Sequence, residues 1–141
     1  MLQYIGMLQV VAAIIERQGE VLICRRQPKQ PHALKWEFPG GKVEPGESPP
    51  QALARELEEE LAIRQAAGRE IHRYAFAYPG KSPMELIFFQ VDSFLDEPVN
   101  RVFHEMRWAA PAELETFDFL EGDLRFLRWF AREARPPQPG R

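Results

Sequence analysis

Three glutamates, Glu56, Glu59 and Glu60, stand at i, i+3 and i+4 in a stretch whose leucines recur every fourth residue at Leu53, Leu57 and Leu61. On a helix such positions are neighbours, so the three carboxylates crowd into about 100° of arc. Like charges at this spacing destabilise a bare helix by roughly a few tenths of a kcal/mol per pair. A cation among them reverses the sign of that contribution. Carboxylate oxygens ligate hard divalent ions, and Mg²⁺ commonly bridges one or two carboxylates to substrate phosphates. Glu47 can approach from the preceding loop, and Arg55 can hold one carboxylate oxygen while a metal takes the other. Glu58 falls on the solvated side of the same helix. An acidic surface helix would show the same three charges, but it leaves the Pro39-Gly40-Gly41 turn and the Gly46-Glu47 pair without a purpose.

These residues need a frame. Ser48-Pro49-Pro50-Gln51 announces the helix: Ser at N-cap with Gln three residues on is a capping box, and Pro at N1 loses no needed donor. The helix is predicted to run to about Leu61. Upstream, the β-branched run Leu8 to Ile15 reads as a buried strand and Val21 to Arg25 as its returning partner, joined by a turn at Gly19. Trp36 to Phe38 alternates briefly before Pro39-Gly40-Gly41 stops it, and Lys42 to Glu47 reads as a loop. Downstream come strands at Ile71 to Tyr78, Leu86 to Val91 and Met106 to Ala109, and a short helix opened by Pro111. A longer helix over Leu124 to Ala134 is expected to place Leu124, Leu127 and Ala131 on one side. The mixture, without regular βαβ alternation, predicts an α+β domain with a mixed sheet and a helix on each face.

The chain has 141 residues, 45% hydrophobic and 28% charged, with 18 basic and 21 acidic side chains for a net charge of −3. That fits one domain with a self-supporting core, expected over residues 1–134, followed by a Pro-rich tail at 135–141. The charge balance argues against a stable nucleic-acid partner. No apolar run approaches the ~20 residues of a membrane span, and Met1-Leu2-Gln3-Tyr4 does not open a signal peptide. The single cysteine, Cys24, lies in the apolar run Val21-Leu22-Ile23-Cys24 and reads as a buried thiol in a reducing compartment, the cytoplasm.

The segment Gly41-x5-Glu47-x7-Arg55-Glu56-Leu57-x-Glu59-Glu60-x-Ala62-Ile63 resembles the Nudix box, G-x5-E-x7-R-E-U-x-E-E-x-G-U, where U is aliphatic. Every polar position and every spacing matches. Ala62 stands where the pattern has Gly at the helix end, a left-handed position that costs Ala on the order of 1 kcal/mol. Trp36-Glu37-Phe38-Pro39-Gly40-Gly41-Lys42 and Val10 to Glu16 look like the MutT-type branch, and the resemblance spans roughly residues 8–132.

The resemblance implies an α/β/α sandwich around a mixed sheet and Mg²⁺-dependent hydrolysis, with Mn²⁺ able to substitute, of a nucleoside diphosphate linked to another group. It implies Glu56, Glu59, Glu60 and the Gly40 carbonyl as metal ligands. Glu56 is favoured to deprotonate the attacking water, with Arg55 and Glu47 as orienting residues. In the MutT branch water attacks the β-phosphorus of a nucleoside triphosphate. Arg26, Glu37, Phe38 and Asp123 are carried over as the substrate-binding set, Asp123 as an acceptor for N–H groups on the base edge. A further acid from a later loop would fall at Val102, which cannot serve, or nearby at Glu105. His32 and Lys81 read as solvated loop residues, His72 and His104 as structural. The leading expectation is a pyrophosphohydrolase that sanitises nucleotides such as 8-oxo-dGTP. The alternatives are a CTP or modified-pyrimidine enzyme, suggested by Val10 to Arg17 and Gly41 to Pro45, an RNA 5′-pyrophosphohydrolase, and a non-catalytic binding module.

Overall fold

The computed structural model describes residues 6–132. The expected tail at 135–141, the last helical turn to Ala134 and Met1 to Tyr4 lie outside the described residues. β1 (Leu8–Ile14) is the central element. Val11, Ala13 and the following Ile15 point to one core, and Ile14, with Val10 and Ala12 partly buried, to the other. A strand covered on both faces reads as continuous hydrophobicity rather than alternation. β1 runs antiparallel to β5 (Gly40–Lys42) and parallel to β7 (Met84–Leu95), which pairs antiparallel with β6 (Arg64–Phe76). The order is β5-β1-β7-β6. In a second sheet β3 (Glu20–Arg25) pairs with β2 (Glu16–Arg17), β4 (Trp36–Glu37) and β8 (Glu105–Ala109).

α1 (Pro49–Leu61) covers one face, packing Leu53, Leu57 and Leu61 onto Val11, Ile87 and Leu22. Its start is the predicted capping box: Ser48 Oγ accepts from Gln51 N–H at 3.3 Å, and Gln51 Oε1 accepts from Ser48 N–H at 2.8 Å. Ala62 ends it in the left-handed conformation, φ 60°. Backbone N–H groups of Val99 and Arg101 satisfy the last carbonyls, those of Leu61 and Glu60. α2 (Leu124–Arg132) covers the other face.

Four expectations change. Leu8–Ile15 and Val21–Arg25 do not form one hairpin. Only Glu16–Arg17 folds back on β3, and β1 departs into the other sheet, with Ile15 C=O still accepting from Leu22 N–H at 3.0 Å. Gly40–Lys42 is strand rather than the turn and loop expected, because Gly40 lets the chain lie against β1: a Cβ there would sit 2.0 Å from the Val11 carbonyl oxygen. β6 begins at Arg64, seven residues before the predicted start, as a bulged strand. α2 buries Phe126, Leu127 and Phe130, whereas Leu124 is only partly covered and Ala131 is exposed.

Candidate active site

The two glycines of β5 seat the carboxylate helix. At Gly41 a Cβ would lie 2.4 Å from the Glu56 carboxyl, so the missing side chain is the space that carboxyl occupies. One residue earlier, Gly40 N–H donates to Glu60 Oε1 at 3.0 Å. The predicted turn and the predicted helix face therefore meet.

Arg55 organises the polar side of this contact. Its Nε and Nη2 donate to both Glu47 oxygens at 2.6 and 2.9 Å, a bidentate pair, and Nη2 also reaches the Lys42 carbonyl at 3.0 Å. Its Nη1 donates to Glu56 at 3.2 Å and to Glu59 at 3.3 Å. The hydrogen bond from Arg55, reinforced by the Glu44 N–H, holds the Glu47 carboxyl down at about 2. The same bonds keep the guanidinium charged at any accessible pH.

The two inner glutamates are strained electrostatically. Burial pushes the Glu60 carboxyl up to about 9 against the opposing Gly40 N–H, with further upward pressure from the Glu56 and Glu37 charges. Burial also raises Glu56, partly offset by Arg55. Glu59 stays 59% exposed beside Arg55, and among the described residues no three His, Cys, Asp or Glu side chains converge tightly enough to ligate an ion. The donor set still fits a hard divalent cation. All its donors are oxygens; burial lifts Glu56 and Glu60 first, neighbouring carboxylates add to it, and a cation among them would favour the ionised forms.

Against this helix opens a cavity of about 750 Å³, within the range of small-molecule sites. Gly40, Gly41, Lys42 and Glu60 form part of its wall, Val10, Ala12, Leu86 and Phe88 an apolar part, and Arg26, Glu37, Phe38 and Asp123 another. Glu37 lines the same cavity as Glu60 and Asp123, and its charge raises both. Burial lifts Glu37 itself, and Arg26 opposes that through contacts of 3.2 Å to each oxygen. Burial and the Glu37 charge push Asp123, 7% exposed, up to about 8. The ionised acceptor expected at Asp123 is thus a neutral acid at neutral pH, with one donor and one acceptor.

The other expected residues divide. Arg26 reaches the cavity, but its guanidinium is committed to Glu37 and to the Pro31 carbonyl at 2.8 Å. Phe38 is 3% exposed and packs on Phe88, Phe119 and Phe126, so it is core that also walls the cavity. His32 and Lys81, read as solvated, both line the cavity. Glu105 does not: it pairs with Arg25 and Arg107 on β8. His72 stacks on Trp129 with ring centroids 4.1 Å apart, and the His104 N–H binds Arg25 C=O, both structural as expected. Tyr78 was missed. It lines the cavity beside Gly122 and Asp123, and its place directly before the Pro79-Gly80 turn was the available signal.

A mixed sheet between two helices, with a glycine turn seating a glutamate helix beside a deep cavity, defines a class of small hydrolase. The NUDIX domain model matches residues 7–130, and the chain belongs to the Nudix family of hydrolases, which generally need a divalent metal. It is 37% identical to the CTP pyrophosphohydrolase of Escherichia coli over 132 residues, 92% of this chain and 97% of that one. It is 35% identical to the 8-oxo-dGTP diphosphatase of Haemophilus influenzae over 127 residues, covering 89% and 93%. The solution structure of the Escherichia coli ORF135 protein superposes with a TM-score of 0.80 at 36% identity, covering 94% and 95%.

Proposed function

We propose that this protein hydrolyses a nucleoside triphosphate to the monophosphate and pyrophosphate, using Mg²⁺ or Mn²⁺. One observation carries the reading: a single cavity has the carboxylate helix, through Glu60 and the Gly40-Gly41 turn, in one part of its wall and the buried acid Asp123 in another. That arrangement suits a ligand that is a polyanion at one end and a flat polar base at the other.

Glu56, Glu59, Glu60 and the Gly40 carbonyl would hold the metal. When bound it neutralises phosphate charge and lowers the pKa of a coordinated water. Glu56, seated on Gly41 and aligned by Arg55, accepts the proton of the water that attacks the β-phosphorus. Arg55 is a positioning residue, and Glu47 fixes it with two hydrogen bonds. Asp123 contacts the base edge, Phe38 contributes apolar wall, and Arg26 favours the ionised form of Glu37 against its burial and holds it in place.

The base is read as a modified purine, as in 8-oxo-dGTP. CTP is the second reading, favoured by the relative from Escherichia coli and by the chemistry of Asp123. A neutral acid can donate to cytosine N3 and accept from its exocyclic amine. We place the reaction in the cytoplasm, the compartment that suits a chain whose one cysteine, Cys24, is free; burial raises its thiol well above the usual range and makes it unreactive. No helix among the described residues is long and apolar enough to cross a membrane.

The test is hydrolysis of 8-oxo-dGTP, dGTP, CTP, 5-methyl-dCTP and triphosphorylated RNA with Mg²⁺, products separated by anion exchange. Monophosphate and pyrophosphate from at least one free nucleotide support the reading. Turnover of RNA ends alone, or of none with either metal, refutes it.

A further inference from the structure

Two tyrosines, one in β6 and one just after it, grip the same peptide segment. Tyr74 donates its hydroxyl proton to the Gly122 carbonyl at 2.6 Å and accepts the Phe126 N–H at 3.1 Å. Both capacities are used, which makes it a brace for the start of α2. Tyr78 accepts the Gly122 N–H at 3.2 Å. A phenol both donates and accepts, and among the described residues no hydrogen bond takes up the Tyr78 proton. Tyr78 lines the cavity beside Gly122 and Asp123, and the His32 ring lies over it at 4.5 Å between centroids. The phenol is therefore held at both ends, with one donor unspent next to the buried acid.

We propose that the Tyr78 hydroxyl is a second specificity-determining group, donating to a carbonyl oxygen or bare ring nitrogen on the base edge that Asp123 contacts. The inference rests on the reading of Asp123 as a base contact. Asp123 and Tyr78 together present two donors and one acceptor. A guanine-type base answers with its 6-oxo group and N1–H, and cytosine with its ring acceptors and exocyclic amine. Tyr78 is half-buried, so a bound base that lacks a neighbouring acceptor would cover the phenol proton without pairing it, and a donor so shielded from water is what gives a polar site its selectivity.

The test compares Tyr78→Phe, Tyr74→Phe and Asp123→Ala with the unaltered Mg²⁺-loaded enzyme, on its preferred nucleotide and on base-free deoxyribose 5′-triphosphate. For Tyr78→Phe, KM for the nucleotide should rise about tenfold, the ordinary worth of one hydrogen bond, with kcat held within about twofold. Its rate on the base-free triphosphate should not change. Tyr74→Phe should lower Tm and leave the ratio between the two substrates alone. Equal losses on both substrates, or none, for Tyr78→Phe overturns the proposal. If Asp123→Ala erases the base preference and Tyr78→Phe does not, the tyrosine fails and the Asp123 reading stands; the converse sinks the Asp123 reading and, with it, the shared edge proposed here. Replacing the base carbonyl oxygen by sulfur, a weak acceptor, gives a readout that does not depend on how Tyr78→Phe folds. It should cost the unaltered enzyme the same tenfold and cost Tyr78→Phe nothing further, and equal costs in both contradict the hydrogen bond.

Discussion

Replacing Asp123 by Asn should make the protein more stable at neutral pH. The Asp123 carboxyl is moved from its ordinary 3.8 to about 8 by burial and by Glu37. Between those values the folded chain keeps a proton that the unfolded chain has released, so stability falls as pH rises through that window. Each pH unit is worth about 1.4 kcal/mol, so at pH 7 the upper bound on this cost is about 4 kcal/mol. Asn keeps the shape and one donor-acceptor pair but has no proton to retain. Even a quarter of the bound, about 1 kcal/mol, shifts Tm by roughly 3–4 °C for a chain of this size. Thermal melts of both proteins from pH 5 to 9 measure it. The gap should be small at pH 5, widen in favour of Asp123→Asn up to about pH 8 and then level off. Glu56 and Glu60 are raised in the same direction, but they are common to both proteins and cancel in the difference; Glu37, whose charge acts on Asp123, is part of the measured gap. The base preference of the unaltered enzyme should decline as pH passes about 8, while that of Asp123→Asn stays flat. An Asn variant that melts lower, with an unchanged pH slope, would show that Asp123 is ionised and favourable where it stands, and the reasoning fails.

Three further predictions concern the two glycines of β5 and the metal. Gly41→Ala should cut kcat about 10²-fold with little loss of stability, because its Cβ displaces the Glu56 carboxyl by about an ångström. Gly40→Ala meets backbone at Val11 and should instead destabilise the fold by about 3 kcal/mol or more; steady-state kinetics beside melts separate the two, and interchanged outcomes contradict the geometry. EDTA should abolish turnover, with restoration by Mg²⁺ or Mn²⁺; full activity in chelator contradicts the carboxylate assignment.

The parts of this molecule written in short-range chemistry were legible in the sequence. The Ser48–Gln51 capping box, the Leu53-Leu57-Leu61 stripe and the meeting of Glu56 and Glu60 with the glycine turn follow from spacing and local bonding. Ala62 takes the left-handed position that its place in the motif implies. Strand pairing was not legible. The run Leu8–Ile15 carries no sign that its parallel partner lies near residue 84, because a doubly covered strand has no alternation to orient it. The first half of β6, with Gln65, Ala67 and Gly68, lacks strand-forming side chains and is held by its pairing to β7 and by the burial of Ala66 in the core beneath α1. The proposed phosphate end draws on one helix and the two glycines beside it, whose spacing is visible in the sequence. The proposed base end draws on residues as distant as Glu37, Tyr78 and Asp123. The neutral state of Asp123 is a property of burial that only the packed structure supplies.

The central claim is that the glutamate face of α1 is catalytic machinery and not an acidic surface. Glu56→Gln and Glu58→Gln change one charge each on the same helix. The first removes the carboxylate seated on Gly41, and the second alters a side chain exposed to solvent. With saturating Mg²⁺ and the preferred triphosphate, Glu56→Gln should lose at least about 10²-fold in kcat, the usual contribution of a general base, while Glu58→Gln stays near the unaltered rate. Equal effects from the two, large or small, would contradict the account.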